Sequence, residues 1–199
     1  MKKYKIRITT LEEMLGSQPN NKELHETYIA SKAPDSKTME EEIEEFGEEA
    51  VVERQMTVFP RYNGEPILYD YQIKGFFKDS CAALRKVPKT ISSKIKAYKK
   101  EIDGLIFVSP RHIPIKFDGE MGDCQRPLRA STPQGERVAI AHSEAIPAGA
   151  VLEFEILLLT EEAHEEAVLE WLDYGELRGL GQWRNSGKGR FTYEIVEES

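Results

Sequence analysis

The chain has 199 residues, 40% hydrophobic and 31% charged, with a formal net charge of −8 at pH 7. That length carries one sizeable domain with a real core, and no apolar run approaches the roughly 18 residues of a membrane span. The negative sum argues against a general nucleic-acid binder.

The first residues, Met-Lys-Lys-Tyr-Lys-Ile-Arg-Ile, alternate like a strand and lack the apolar stretch of a signal peptide, so a cytoplasmic, reducing setting is expected. Cys81 and Cys124 lie far apart and make neither a zinc site nor an expected disulfide. Charge is unevenly spread. Glu40 to Glu53 holds eight glutamates and no basic residue, whereas Lys74 to Lys100 holds nine Lys/Arg and one acid, Asp79. Either block alone suits a solvated helix face; together they polarise the chain.

In chain order, residues 3–10 alternate with period two and predict a strand with Tyr4, Ile6 and Ile8 inward. Leu11 to Leu15 is a short apolar turn, and residues 16–55 read as an acidic helical insertion, with helices over Glu23–Ser31 and 38–48. Met56–Phe59 has strand character, Asn63-Gly64 signals a hairpin, and Ile67–Tyr69 is a short strand. Asp70 is placed as the N-cap of a helix over Tyr71–Arg85, whose apolar residues 73, 76, 77, 81 and 84 share one face while Lys74, Lys78 and Arg85 lie on the other.

After Pro88, Ile91–Lys100 is a second basic amphipathic stretch, and Gly104–Pro110 reads as a strand. Residues 108–142 form a second insertion: Ile113–Ile115 extended, Asp118–Arg126 a loop, then a hairpin turning at Thr132–Gly135. Val151–Leu159 is the best strand in the chain. Thr160 caps a helix over 161–174 with Ala163, Ala167, Val168, Trp171 and Leu172 inward and Gly175 as its end, and Arg190–Val196 closes the chain as a strand.

Before that last strand stands Gly-Leu-Gly-Gln-Trp-Arg-Asn-Ser-Gly-Lys-Gly-Arg-Phe, residues 179–191. Glycines so dense imply sharp turns and close approach, and the cations and indole among them suit an anionic ligand with planar rings. A Gly-rich hairpin before a strand is the plainer reading of the same residues.

The element order is that of an α+β, ferredoxin-like βαββαβ (RRM-like) core with large insertions and a C-terminal glycine-rich loop. Three segments resemble the RAMP superfamily, the RNA-binding subunits that form the backbone of CRISPR effector complexes. They are Gly179-Leu-Gly-x5-Gly-Lys-Gly-Arg-Phe, Ile146-Pro-Ala-Gly-Ala-Val-Leu-Glu-Phe-Glu-Ile, and Pro66 to Arg85 with its Ile73-Lys74-Gly75-Phe76-Phe77. The likeness spans nearly the whole of residues 1–199 as a single domain. Tyr69-Asp70-Tyr71-Gln72 stands where the family has a small Gly-Ser-Ser turn. The chain also looks like uncharacterised prophage-encoded proteins.

The resemblance implies a non-enzymatic single-stranded-RNA-binding protein, a subunit of a nucleoprotein complex that self-assembles along RNA. Lys74, Lys78, Arg85, Arg184, Lys188 and Arg190 would contact phosphates, Gly179, Gly181, Gly187 and Gly189 would let the strand lie against the backbone, and Trp183 would stack a base or pack beneath the loop. Arg61, Arg126 and Arg129 are looser candidates. This requires the loop and the lysine-bearing helix to converge on one side of a sheet. The alternatives are a mobile-element module that docks on a host complex through the Glu40–Glu53 patch, and a metal-independent ribonuclease. Family nucleases use a histidine near the loop, or an aspartate after the first strand, which makes His112, His142 and Asp35 the catalytic candidates. His25 and His164 read as surface or structural. No metal or cofactor is expected.

Overall fold

The computed structural model describes residues 1–20, 56–132, 135–159 and 162–198. The expected helices within 16–55, with Asp35, His25 and the Glu40–Glu53 patch, lie outside these residues, as do the turn at Pro133-Gln134 and the cap at Thr160.

Strand β1 (Lys2–Thr10) is central to the main sheet, and its alternation is the expected one: Tyr4, Ile6 and Ile8 are buried. It pairs antiparallel with β11 (Val151–Leu158) on one side and β12 (Phe191–Glu198) on the other; β7 (Ile106–Ser109) pairs antiparallel with β11. The order is β12-β1-β11-β7. Leu152, Phe154, Ile156 and Leu158 of β11 join the β1 residues on the inner face, under α1 (Asp70–Leu84), α2 (Tyr98–Leu105) and α3 (Glu162–Asp173). Phe77 of α1 meets Trp171 of α3 with ring centroids 5.6 Å apart, and Phe76 meets Phe191 at 5.3 Å.

The outer face of this sheet is a lattice of ion pairs. Lys3 binds Glu155 at 3.0 Å, and Arg7 bridges Glu153 and Glu194, each at 2.7 Å. Hydrogen bonds from Arg7 and Lys3 hold the Glu153 and Glu155 carboxyls below their ordinary range. On the inner side Tyr4 donates its hydroxyl to Glu165. Burial first, then that bond, pushes the Tyr4 phenol up to about 12; burial and Asp173 do the same for Tyr193. An unfolded tyrosine ionises near pH 10, so both phenols contribute stability that is complete below about pH 10 and lost as pH rises toward 12. Urea unfolding midpoints should fall across that window, and Tyr4→Phe should make the fall shallower.

Short strands build a second layer. β2 (Met14–Leu15), β3 (Gln18–Pro19) and β4 (Thr57–Val58) assemble on β10 (Gly135–Ile146), which also forms a long antiparallel ribbon with β9 (Gly122–Thr132). β5 (Arg61–Tyr62) and β6 (Glu65–Tyr69) are the Asn-Gly hairpin: Asn63 and Gly64 have φ of 52° and 87°, as its tight turn demands. β8 (His112–Pro114) pairs with β6.

Several boundaries differ from the sequence reading. Gly104 belongs to α2, because Ile102, 1% exposed, anchors a helical turn into the core and the strand begins only at Ile106. Asp118–Arg126 is not all loop: Gly122–Arg126 pair with Ala141–Ala145, a long-range partner that local composition does not reveal. Asp70 lies in the first turn of α1 rather than at its cap; Tyr69 flanks the helix, and its N–H donates to Gln72 Oε1 at 2.8 Å. Gly175 opens a short helix, α4 (Gly175–Arg178), instead of ending the one before it. Among the described residues no helix is long and apolar enough to cross a membrane, and no group of three or more His, Cys, Asp or Glu side chains could hold a metal ion. Cys81 is buried and Cys124 partly buried, both as free thiols.

Candidate nucleic-acid interface

The glycine-rich stretch leaves α4 and doubles back to β12. Gly179 and Gly189 have φ of 73° and 68°, and each faces chain rather than solvent. A Cβ on Gly179 would stand 2.5 Å from the Gly189 carbonyl carbon, and one on Gly189 would fall on the Leu180 carbonyl oxygen. The two limbs are tied by Leu180 N–H donating to Gly189 O at 2.9 Å. The loop is then fastened to the second layer, Gln182 N–H donating to Leu15 O at 3.2 Å and Gly189 N–H to Glu13 O at 2.8 Å. The close approach these glycines permit is therefore to the protein's own backbone.

The loop cations also find partners within the chain. Arg184 binds Asp79 at 2.9 Å, beside Arg178 on the same carboxylate; Lys188 binds Glu13; Arg190 reaches Glu12 at 3.2 Å. Asp79, the lone acid in the basic run, thus docks the loop onto α1. The other predicted phosphate contacts are on a different flank of that helix. Lys74 donates to Asp103 O at 3.1 Å and sits over the Phe107 ring, with burial lowering its pKa. Lys78 pairs with Asp103 at 2.6 Å, and Arg85 lies over Tyr98. At about 100° per residue, Asp79 is roughly 100–140° around the helix from Lys74, Lys78 and Arg85. Helix and loop touch, but the two predicted cation sets do not line one trough.

Trp183 is where the loop is open. It adopts a left-handed φ of 52° and is 40% exposed. The Arg126 guanidinium lies over its ring, 5.2 Å from the centroid. Arg126 itself is only 7% exposed and bonds Ser143 Oγ at 3.2 Å and Gln182 Oε1 at 2.7 Å. Among the described residues no carboxylate pairs with it. An arginine keeps its charge when buried, so this site holds positive potential behind an open indole. Arg61, in contrast, is bound by Glu144 at 2.6 Å.

A second basic surface follows α1. Lys86, Lys89, Lys94, Lys96, Lys99 and Lys100 are all exposed, and none has an ion-pair partner among the described residues. The segment bearing them is pinned from beneath. Glu170 accepts from the Ile91 and Ser92 backbone N–H groups at 2.9 and 3.0 Å and from Ser92 Oγ at 2.5 Å, while Trp171 Nε1 donates to that Oγ at 2.8 Å. The sequence showed these lysines as a basic run, but the site residues were drawn from α1 and the loop instead.

Among the described residues, His112, His142 and His164 do not assemble a shared centre. His112 stacks on Tyr62 with ring centroids 4.1 Å apart, and His142 Nδ1 is 3.4 Å from Asp123 on the β9–β10 ribbon. His164 Nε2 meets Glu101 at 2.7 Å in a cleft of about 370 Å³ that Lys94 and Lys96 also line.

No protein-family model matches the sequence, and neither does any curated protein. The fold is similar to that of a chain in the cryo-EM structure of the Type III-B Cmr-beta bound to cognate target RNA, with a TM-score of 0.52 and 12% identity. That match covers 100% of this chain and 60% of the other, so this chain spans less than two thirds of that neighbour's length. A chain of a Type IV-B CRISPR complex matches at a TM-score of 0.48 and 12% identity, covering 98% of this chain and 90% of that one. At such identity the first likeness is one of fold alone, a mixed α+β architecture.

Proposed function

We propose that this protein is a non-enzymatic, RAMP-like single-stranded-RNA-binding protein that serves as a subunit of a nucleoprotein complex. Residues 1–199 form one domain on a ferredoxin-like βαββαβ core, and 16–55 and 108–142 are its insertions. The strand order β12-β1-β11-β7, with α1 and α2 between β1 and β7 and α3 between β11 and β12, supports that core. The fold neighbour whose complex holds a target RNA supports the ligand class.

The observation that carries the reading is the half-open Trp183 backed by buried Arg126, with which no carboxylate pairs among the described residues. A base stacked on the indole gains dispersion without sequence readout, and the guanidinium behind it offers charge to a flanking phosphate. Lys86 to Lys100 supply further phosphate contacts, whereas Lys188, Arg190 and Arg184 chiefly hold the loop in shape. Glu40–Glu53 repels phosphate and is assigned to a protein partner or to the self-assembly contact. Filter binding of a labelled single-stranded RNA across a salt series tests this. Binding should weaken linearly in log–log form, by roughly 0.7 in slope for each phosphate engaged. A flat salt response would remove the reading.

A further inference from the structure

At the other end of α1 the structure assembles a surface stack of rings that the glycine-rich loop does not touch. Tyr62, from β5, stacks on His112, from β8, with centroids 4.1 Å apart and planes 17° from parallel. Tyr69, closing β6, tilts against the same imidazole at 5.6 Å, and Tyr71, opening α1, stacks on Tyr69 at 5.1 Å and 14°. The arrangement follows from topology: Tyr69 and His112 are register partners in the β6–β8 pair, and the Asn-Gly turn folds Tyr62 back beside them. Arg111 lies over both Tyr69 and Tyr71, at 5.5 and 5.1 Å, and is held there by Asp70 at 2.6 Å.

Both ends of the stack are open. Tyr62 is 50% exposed and Tyr71 52%. The phenol groups of Tyr62 and Tyr71, both half exposed, make no hydrogen bond among the described residues. Rings that serve only as core packing are covered; these are ordered against one another while Tyr62 and Tyr71 stay half exposed. Two parallel ring pairs, Tyr62–His112 and Tyr69–Tyr71, tilted 59° to one another where His112 meets Tyr69 and accompanied by an arginine, offer stacking surfaces to bases, and every base has a face that fits. Arg111 donates one N–H to Asp70 Oδ1 and has further N–H groups for a phosphate. A peptide partner would suit the tyrosines but would have less use for a guanidinium set beside both Tyr69 and Tyr71.

We infer that Tyr62, His112, Tyr69, Tyr71 and Arg111 form a second single-strand-binding platform, on which bases of an RNA strand stack against the outer faces of Tyr62 and Tyr71. This rests on the RNA-binding reading above and extends it to residues that reading does not use. It also gives His112 a stacking role in place of the catalytic one expected of it.

The test compares wild type, the Tyr62→Ala/Tyr71→Ala double variant and the Tyr62→Phe/Tyr71→Phe double variant, with a fluorescein-labelled 20-nucleotide RNA in fluorescence anisotropy. Removing the rings should weaken binding about tenfold for each, and phenylalanine should restore it to within about twofold. Ultraviolet crosslinking of the RNA to wild type, read by peptide mass spectrometry, should mark the peptides that contain Tyr62 and Tyr71. Wild-type binding with unchanged affinity in the alanine pair and no such crosslink, as expected of a patch that docks protein, would overturn the platform and leave the RNA-binding reading standing. No RNA binding by wild type would end both.

Discussion

Trp171→Ala is expected to cost about 3–5 kcal/mol of folding stability, the range for removing a fully buried large aromatic. The residue is 0% exposed and packs on Phe77 at the contact between α3 and α1. Its indole N–H also donates to Ser92 Oγ, which Glu170 holds from the other side. The loss therefore combines a cavity with a broken buried hydrogen-bond chain, and it loosens the segment that displays the lysines. For a chain of this size a melting temperature lower by roughly 6–20 °C is expected by calorimetry. Trp183→Ala, at an exposed loop position, should stay within about 0.5 kcal/mol of wild type. Comparable losses in the two variants would show that the α1–α3 contact is not where the core is concentrated.

Replacing Lys94, Lys96, Lys99 and Lys100 together with glutamate is expected to weaken RNA binding about 100-fold or more at low salt. The log–log salt slope should become shallower by roughly 2–3, as four lost phosphate contacts imply for a single strand. These side chains are exposed and without ionic partners among the described residues, so their field is available to a polyanion. Lys78→Gln makes the contrast. Lys78 is already paired with Asp103, and its loss should change affinity by no more than about twofold. Equal effects from the two substitutions would return the site to α1, which the sequence reading pairs with the glycine-rich loop.

How far residues alone could carry this differs from element to element. β1 and β11 were legible because half-buried strands alternate, and α1 because five apolar residues recur on one face. β9 was partly missed, since Gly122–Arg126 become strand only through pairing with β10. The extent of α2 was hidden because Gly104 is a poor helix former that tertiary packing of Ile102 overrides. The glycine-rich loop was visible as a motif, but its meaning changed once Leu180, Leu15 and Glu13 were seen to occupy the close approaches. Ion pairing is likewise invisible in a sequence. Nothing near residues 184–190 announces that Asp79, Glu12 and Glu13 neutralise their cations, so the three cations of the glycine-rich loop are compensated within the chain. The Tyr62–His112–Tyr69–Tyr71 column joins four elements, and no spacing rule links its members.

Trp183 offers a direct readout, because the chain has only one other tryptophan and that one, Trp171, is fully buried. Titrating single-stranded RNA into wild type at low salt while following tryptophan emission should quench Trp183 in step with binding; Trp183→Phe should abolish the quench, and Trp183→Ala should weaken the complex about tenfold. RNA binding that leaves the emission unchanged, or no binding at low salt, would contradict a strand stacked on that indole.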